Sequence, residues 1–91
     1  MKVRSIRDLA AVARGRRRDL GLSQAELAAR AGVSRKWIYQ FEAGKPTAEL
    51  RLILGVLDTL GLVLDVTYDE HTTTDKSARD LDALIEEHRA R

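Results

Sequence analysis

The chain contains no cysteine, which excludes disulfides and thiolate metal sites. Aromatic residues make up only 4% of it, so a core must be built from Leu, Ile, Val and Ala. Long apolar runs are missing as well. The longest apolar stretch, residues 50–66, is interrupted by Arg51, Asp58 and Asp65 and is too broken to span a membrane. Residues 1–8 hold no apolar segment of the kind a secretory signal needs. His71 and His88 stand 17 residues apart, without metal-ligand spacing. No Gly-rich phosphate loop and no nucleophile motif occurs either, so the sequence predicts no catalytic site, no metal and no cofactor.

What remains is a short chain of 91 residues, 44% hydrophobic, which suits one small globular domain. Its net charge of +2 conceals a strong polarity. Residues 1–45 hold 11 Lys or Arg against 4 Asp or Glu, a net +7, and residues 46–91 hold 5 against 10, a net −5. Phosphate neutralisation supplies most non-specific affinity for nucleic acid, so the basic half is the half expected to face DNA.

The basic half also carries the most informative segment, residues 23–44. Ser23 followed by Glu26 is a capping box, which starts a helix after Ser23. Leu27, Ala28 and Ala31 repeat at helical spacing, and Gly32 suits the left-handed turn that ends such a helix. Val33 can plug the angle that follows, and Ser34 caps the next helix. There Ile38 and Phe41 turn inward, while Arg35, Lys36, Tyr39 and Gln40 stay outside. Gly44 and Lys45-Pro46 stop it. Two short helices about a tight turn, the second with a basic outer face, form a helix-turn-helix DNA reader. Ser34, Arg35, Lys36 and Gln40 are the candidates for base edges, since Arg or Lys suits guanine and Gln suits adenine. Tyr39 can touch base or backbone, and Trp37 either packs on a neighbouring helix or meets the DNA backbone. Lys45 and the arginines ending the first helix, Arg16 and Arg18 among them, are candidates for phosphates.

The flanking segments complete the fold. A first helix is predicted from Ile6 to about Asp19, opened by a capping box of Ser5 and Asp8 and buried along Leu9, Val12 and Ala13. Gly21 ends it. A fourth helix should start after Thr47 as N-cap and run to about Leu60, with Leu50, Ile53, Leu54, Leu57 and Leu60 as its core stripe. Leu52, Val56 and Val63 are left on another side and suggest a partner surface. Residues 62–68 then alternate, with Leu62, Leu64, Val66 and Tyr68 on one face and Val63, Asp65 and Thr67 on the other, which is strand spacing. A lone strand exposes unpaired backbone groups, so the economical arrangement is a homodimer with a shared β-ribbon. Leu52, Val56, Leu62, Val63, Leu64 and Val66 are the expected dimer contacts. Two recognition helices on a two-fold axis would read a palindromic operator with half-sites roughly 34 Å apart. Residues 69–75 read as an acidic linker, and 76–89 have the pattern of a helix with Ala78, Leu81, Leu84, Ile85 and His88 on a weak apolar face.

Residues Gln24, Leu27, Ala28, Gly32, Val33, Ser34, Ile38, Phe41, Glu42 and Gly44 together resemble the Xre/Cro-type helix-turn-helix family of phage repressors and bacterial regulators. The likeness runs from about Ile6 to Leu60. It implies a mainly α fold, a four- to five-helix lambda repressor-like DNA-binding domain over 1–61, with the strand 62–68 pairing across a homodimer and 69–91 as linker and tail. By family position, Gln24 should hold a phosphate and Arg17 should pair with Glu42. The segments 41–47 and 60–66 look like those of HipB-type antitoxins. That resemblance implies a repressor of its own operon, in the bacterial cytoplasm and at the nucleoid, that neutralises a HipA-like kinase toxin. The other reading is a stand-alone regulator of the same family.

Overall fold

Local signals open the first three helices in the computed structural model, which describes residues 2–68. Four helices lie within those residues: α1, Ile6–Asp19; α2, Gln24–Ala31; α3, Arg35–Glu42; and α4, Leu50–Thr59. The Ser23–Glu26 box opens α2 in full: Ser23 Oγ accepts from the Glu26 N–H, and Glu26 Oε1 accepts from the Ser23 N–H, both at 3.0 Å. Ser34 Oγ accepts from the Trp37 N–H at 3.0 Å and opens α3. At α1 only half of the expected box forms. Ser5 Oγ accepts from the Asp8 N–H at 3.1 Å, but the Asp8 carboxylate accepts from the Arg4 N–H at 3.0 Å. Gly32 ends α2 with φ +71°, a left-handed conformation that costs other residues about 1–2 kcal/mol.

The core gathers Ala10 and Ala13 of α1, Leu22 just before α2, Leu27 and Ala28 of α2, Ile38 and Phe41 of α3, and Ile53, Val56, Leu57 and Leu60 at α4. Packing of α2 on both α3 and α4, and of α1 on α3, closes it. Burial of each larger side chain, Phe41, Leu27 and Ile38 among them, contributes roughly 1.5–3 kcal/mol. Alanines at 10, 13 and 28 let the helices approach without large side chains between them.

Three expectations need correction, and a fourth concerns a pairing that one chain cannot contain. First, α1 is rotated about its axis relative to the predicted stripe. Ala10 is buried with Ala13, whereas Leu9 and Val12 are only half-buried. Second, α4 begins at Leu50 after Glu49, not after Thr47. A turn over Pro46 and Thr47 comes first, and Ala48 packs against the core before the helix opens. Third, Leu50 and Leu54 are 60% and 44% exposed, while Val56 is fully buried. The buried arc of α4 is Ile53, Val56, Leu57 and Leu60, and the two exposed leucines lie just past one edge of it. Val56 therefore belongs to the core of the single chain. Leu52, past the other edge, is half-buried.

Fourth, residues 62–68 form no strand within the single chain. Gly61 (φ +71°) redirects the backbone after α4, and the Leu62 N–H donates to the Leu57 carbonyl at 2.8 Å. Leu62 then packs on the core, but Val63, Val66 and Tyr68 are 90%, 87% and 86% exposed. Together with Val3, Leu9 and Val12 this segment lines an open groove of about 510 Å³. The strand expected here needs a partner edge, which one chain does not contain. The linker, the helix predicted over 76–89, His71 and His88 lie outside the described residues. No helix among the described residues is long and apolar enough to cross a membrane.

Candidate nucleic-acid interface

The start of α3 breaks a rule of helix stability. Arg35 and Lys36 stand in its first turn, where the helix dipole disfavours cations by about 0.3–1 kcal/mol each, and no acidic residue offsets them. Both are exposed and neither has a hydrogen bond or ion pair among the described residues. Both charges therefore stand in solvent, where a partner outside the fold can reach them. Ser34 stands beside them, exposed, with its hydroxyl oxygen accepting the Trp37 N–H. Tyr39, 63% exposed, extends the same surface.

The far end of α3 is fixed by its C-cap. The Gly44 N–H donates to the Phe41 carbonyl at 2.9 Å and the Lys45 N–H to the Gln40 carbonyl at 3.1 Å, with Gly44 left-handed at φ +85°. That turn brings Lys45 back over Gln40, and Lys45 Nζ donates to Gln40 Oε1 at 3.4 Å. Trp37 stacks on Phe41 with ring centroids 5.3 Å apart and is half-buried, so it packs inside the domain. Gln40, Lys45, Trp37, Ala48 and Leu52 share a shallow groove of about 240 Å³ beside the helix.

What holds α3 at its angle is Arg17. Its Nε and Nη2 donate to the two Glu42 carboxylate oxygens at 2.8 and 2.9 Å, and Nη1 donates to the Leu22 carbonyl at 2.8 Å. The two side chains are only 10% and 4% exposed. The hydrogen bond to Glu42 raises the Arg17 pKa further above its already high ordinary value, against the opposing effect of burial. The pair expected between Arg17 and Glu42 is therefore present, and it joins the end of α1 to the end of α3.

Sequence-predicted site residues fall into three groups. Ser34, Arg35, Lys36, Tyr39, Gln40 and Lys45 share the α3 surface described above. Gln24 opens α2, but its Nε2 already donates to Glu42 Oε1 at 3.4 Å, so this side chain also belongs to the Arg17–Glu42 cluster. Arg18 is exposed in the last turn of α1. Arg16 is differently engaged: its Nε donates to the Leu60 carbonyl at 2.9 Å, tying α1 to the end of α4. Nothing in the sequence signals that bond, because its partners are 44 residues apart. The Lys45–Gln40 contact was also missed, since it depends on the backbone turn between them. No group of three or more metal-binding side chains occurs among the described residues.

This geometry has recognisable relatives. Residues 8–68 match a family model described as a helix-turn-helix domain. The HTH-type transcriptional regulator y4mF of Sinorhizobium fredii is 42% identical over 65 residues, spanning 71% of this chain and 86% of y4mF. Among solved structures, a HipB variant in an O2 20mer complex is similar with a TM-score of 0.72 and 27% identity, over 77% of this chain and 97% of that one. A HipA–HipB–O2–O3 complex gives a TM-score of 0.72 and 26% identity, over 77% and 99% of the two chains. The fold, mainly helical, is that of HipB. A capped helix pair whose second member exposes unpaired cations, matched along most of its length by regulators of the same build, makes this chain a member of the helix-turn-helix domain family, an Xre-like DNA-binding transcriptional regulator.

Proposed function

We propose that this regulator is a repressor that reads a palindromic operator as a two-fold homodimer and serves as the antitoxin of a HipA-like kinase toxin. One observation carries the operator reading: Arg35 and Lys36, unpaired among the described residues, beside Ser34 at the rigidly capped start of α3. Ser34, Arg35, Lys36 and Gln40 address base edges; Gln24, Arg18 and Lys45 hold phosphates, with Tyr39 on either. Arg16 serves the fold through Leu60. The exposed Val63, Leu64 and Val66 beside an open groove favour pairing of two copies through 62–68, supported by Leu62.

The antitoxin reading draws support from the likeness to HipB along nearly the whole HipB chain, including HipB in complex with HipA. A stand-alone regulator is the second reading; the name of the 42% identical y4mF, an uncharacterised HTH-type transcriptional regulator, mentions no toxin. Selection of bound sequences from random duplex DNA, with and without the product of the neighbouring gene, tests both. The proposal expects a palindrome with half-sites one helical turn apart and a kinase that co-purifies and alters the binding. A palindrome with no co-purifying kinase supports the stand-alone regulator. No selected sequence at all would refute operator reading.

A further inference from the structure

We propose that Arg7, in the first turn of α1, is a further DNA contact: with Lys45 it holds the phosphate backbone that flanks the far end of α3. This rests on the operator reading above and deepens it.

Arg7 belongs to α1, but its surroundings are set by α3. Ala10, Ala13 and Arg17 follow it at helical spacing, and all three are buried, Arg17 against Glu42 of α3. Arg7 lies at the exposed edge of that same face. It emerges where α3 ends. A Cβ at Gly44 would stand 3.8 Å from the Cα, Cβ and Cγ of Arg7, so the arginine stem runs beside the turn that follows α3. Lys45 is the next residue of that turn, and its N–H is fixed on the Gln40 carbonyl at 3.1 Å. Two cations from distant parts of the sequence thus become neighbours.

The stem of Arg7 is placed, while its head is left over. The side chain makes no hydrogen bond or ion pair among the described residues. The carboxylate of the adjoining Asp8 is directed to the Arg4 N–H at the helix start. A guanidinium is the side-chain group best matched to a phosphate, which it can hold with two parallel bonds. Dimensions bring a phosphate backbone to this place. The eight residues of α3 are about 12 Å long at about 1.5 Å per residue. The major groove is about 12 Å wide. A helix whose first turn addresses base edges therefore carries its last turn to the wall of the groove, and that wall is sugar and phosphate. The Gly44–Lys45 turn meets it there, with Arg7 alongside.

Salt dependence separates a phosphate contact from a bystander charge. The probes are the duplex that the wild type selects from random DNA and a scrambled duplex of the same length. Arg7→Gln removes the charge and keeps a stem beside Gly44. Its plot of log affinity against log salt should be shallower by about 0.9, the amount for one phosphate. Binding to both duplexes should weaken together, with base preference and melting temperature unchanged. Arg30→Gln removes the same charge from the exposed last turn of α2 and should leave the slope as it is. An unchanged slope in Arg7→Gln would overturn the inference, and so would an equal change in Arg30→Gln, which would reduce the effect to net charge. Altered preference at one base pair would make Arg7 a base reader instead, and a lowered melting temperature would make it part of the fold. A wild type that selects no duplex would overturn the operator reading on which the inference stands.

Discussion

Arg17 divides its donors between Glu42 at the end of α3 and the Leu22 carbonyl before α2, and the cost of disturbing it depends on which partner is removed. Glu42→Ala would leave a guanidinium that is almost wholly buried facing only the Leu22 carbonyl. Urea denaturation should then show a loss of about 3–5 kcal/mol, while the double change Arg17→Met with Glu42→Leu should lose clearly less, because no charge is stranded. A loss of under about 1 kcal/mol for Glu42→Ala would mean that the pair behaves as an exposed one. Arg35 is the opposite case. It is exposed and unpaired among the described residues, so Arg35→Ala should leave thermal stability almost unchanged. Operator binding should fall by about 1–3 kcal/mol with relaxed choice at one base pair; an equal loss for all sequences would assign Arg35 to phosphate alone. Sequence pattern marked Arg35 as outward-facing from the helical period, but the Arg17–Glu42 pair spans 25 residues and only the family resemblance pointed to it.

At the scale of elements, the caps made most boundaries legible. Ser5, Ser23 and Ser34 each precede a helix, and the predicted bounds of α1 match those observed. Fewer signals were decisive for α4. Thr47 and Glu49 compete as starts, and the helix has more leucines than one face can bury. Which arc turns inward depends on contacts with α2, and those are not written in local spacing. The α2 capping box gives a pH signature. Ser23 hydrogen bonds hold the Glu26 carboxyl below the usual glutamate range. Its pKa is therefore lower folded than unfolded, so its contribution is present above the unfolded value and is lost as pH falls through the folded one. Thermal melts from about pH 6 to pH 3 should show Glu26→Gln less sensitive to acid than the wild type over the range where glutamates titrate. Identical acid dependence of the two proteins would show that the cap carries no such linkage.

Among the described residues of the molecule, the most exposed apolar side chains lie after α4. The basic half of the sequence builds α1 to α3, and the segment after α4 exposes Val63, Leu64, Val66 and Tyr68. The alternation of 62–68 was legible as a pattern, but pairing needs two chains and cannot be read from the packing of one. Val66→Asp separates the fold from the assembly, since Val66 is 87% exposed and lies outside the core. Sedimentation should find the wild type dimeric at micromolar concentration and the variant monomeric, with the helical circular dichroism of both alike. Loss of helical signal in the variant would place Val66 in the fold, and a dimeric variant would place the interface elsewhere.

The hydrogen bond from Arg16 to the Leu60 carbonyl fixes the point at which the chain leaves α4. If two copies join through the residues just beyond, the angle of departure becomes a ruler: it fixes how far apart the two recognition helices are carried. A side chain remote from α3 would then govern tolerance of operator spacing rather than choice of bases. Arg16→Ala should bind a single half-site as the wild type does, yet discriminate less against palindromes lengthened or shortened by about one base pair. Retention of full spacing discrimination in that variant would show that the joint itself, not its fastening to α1, sets the distance.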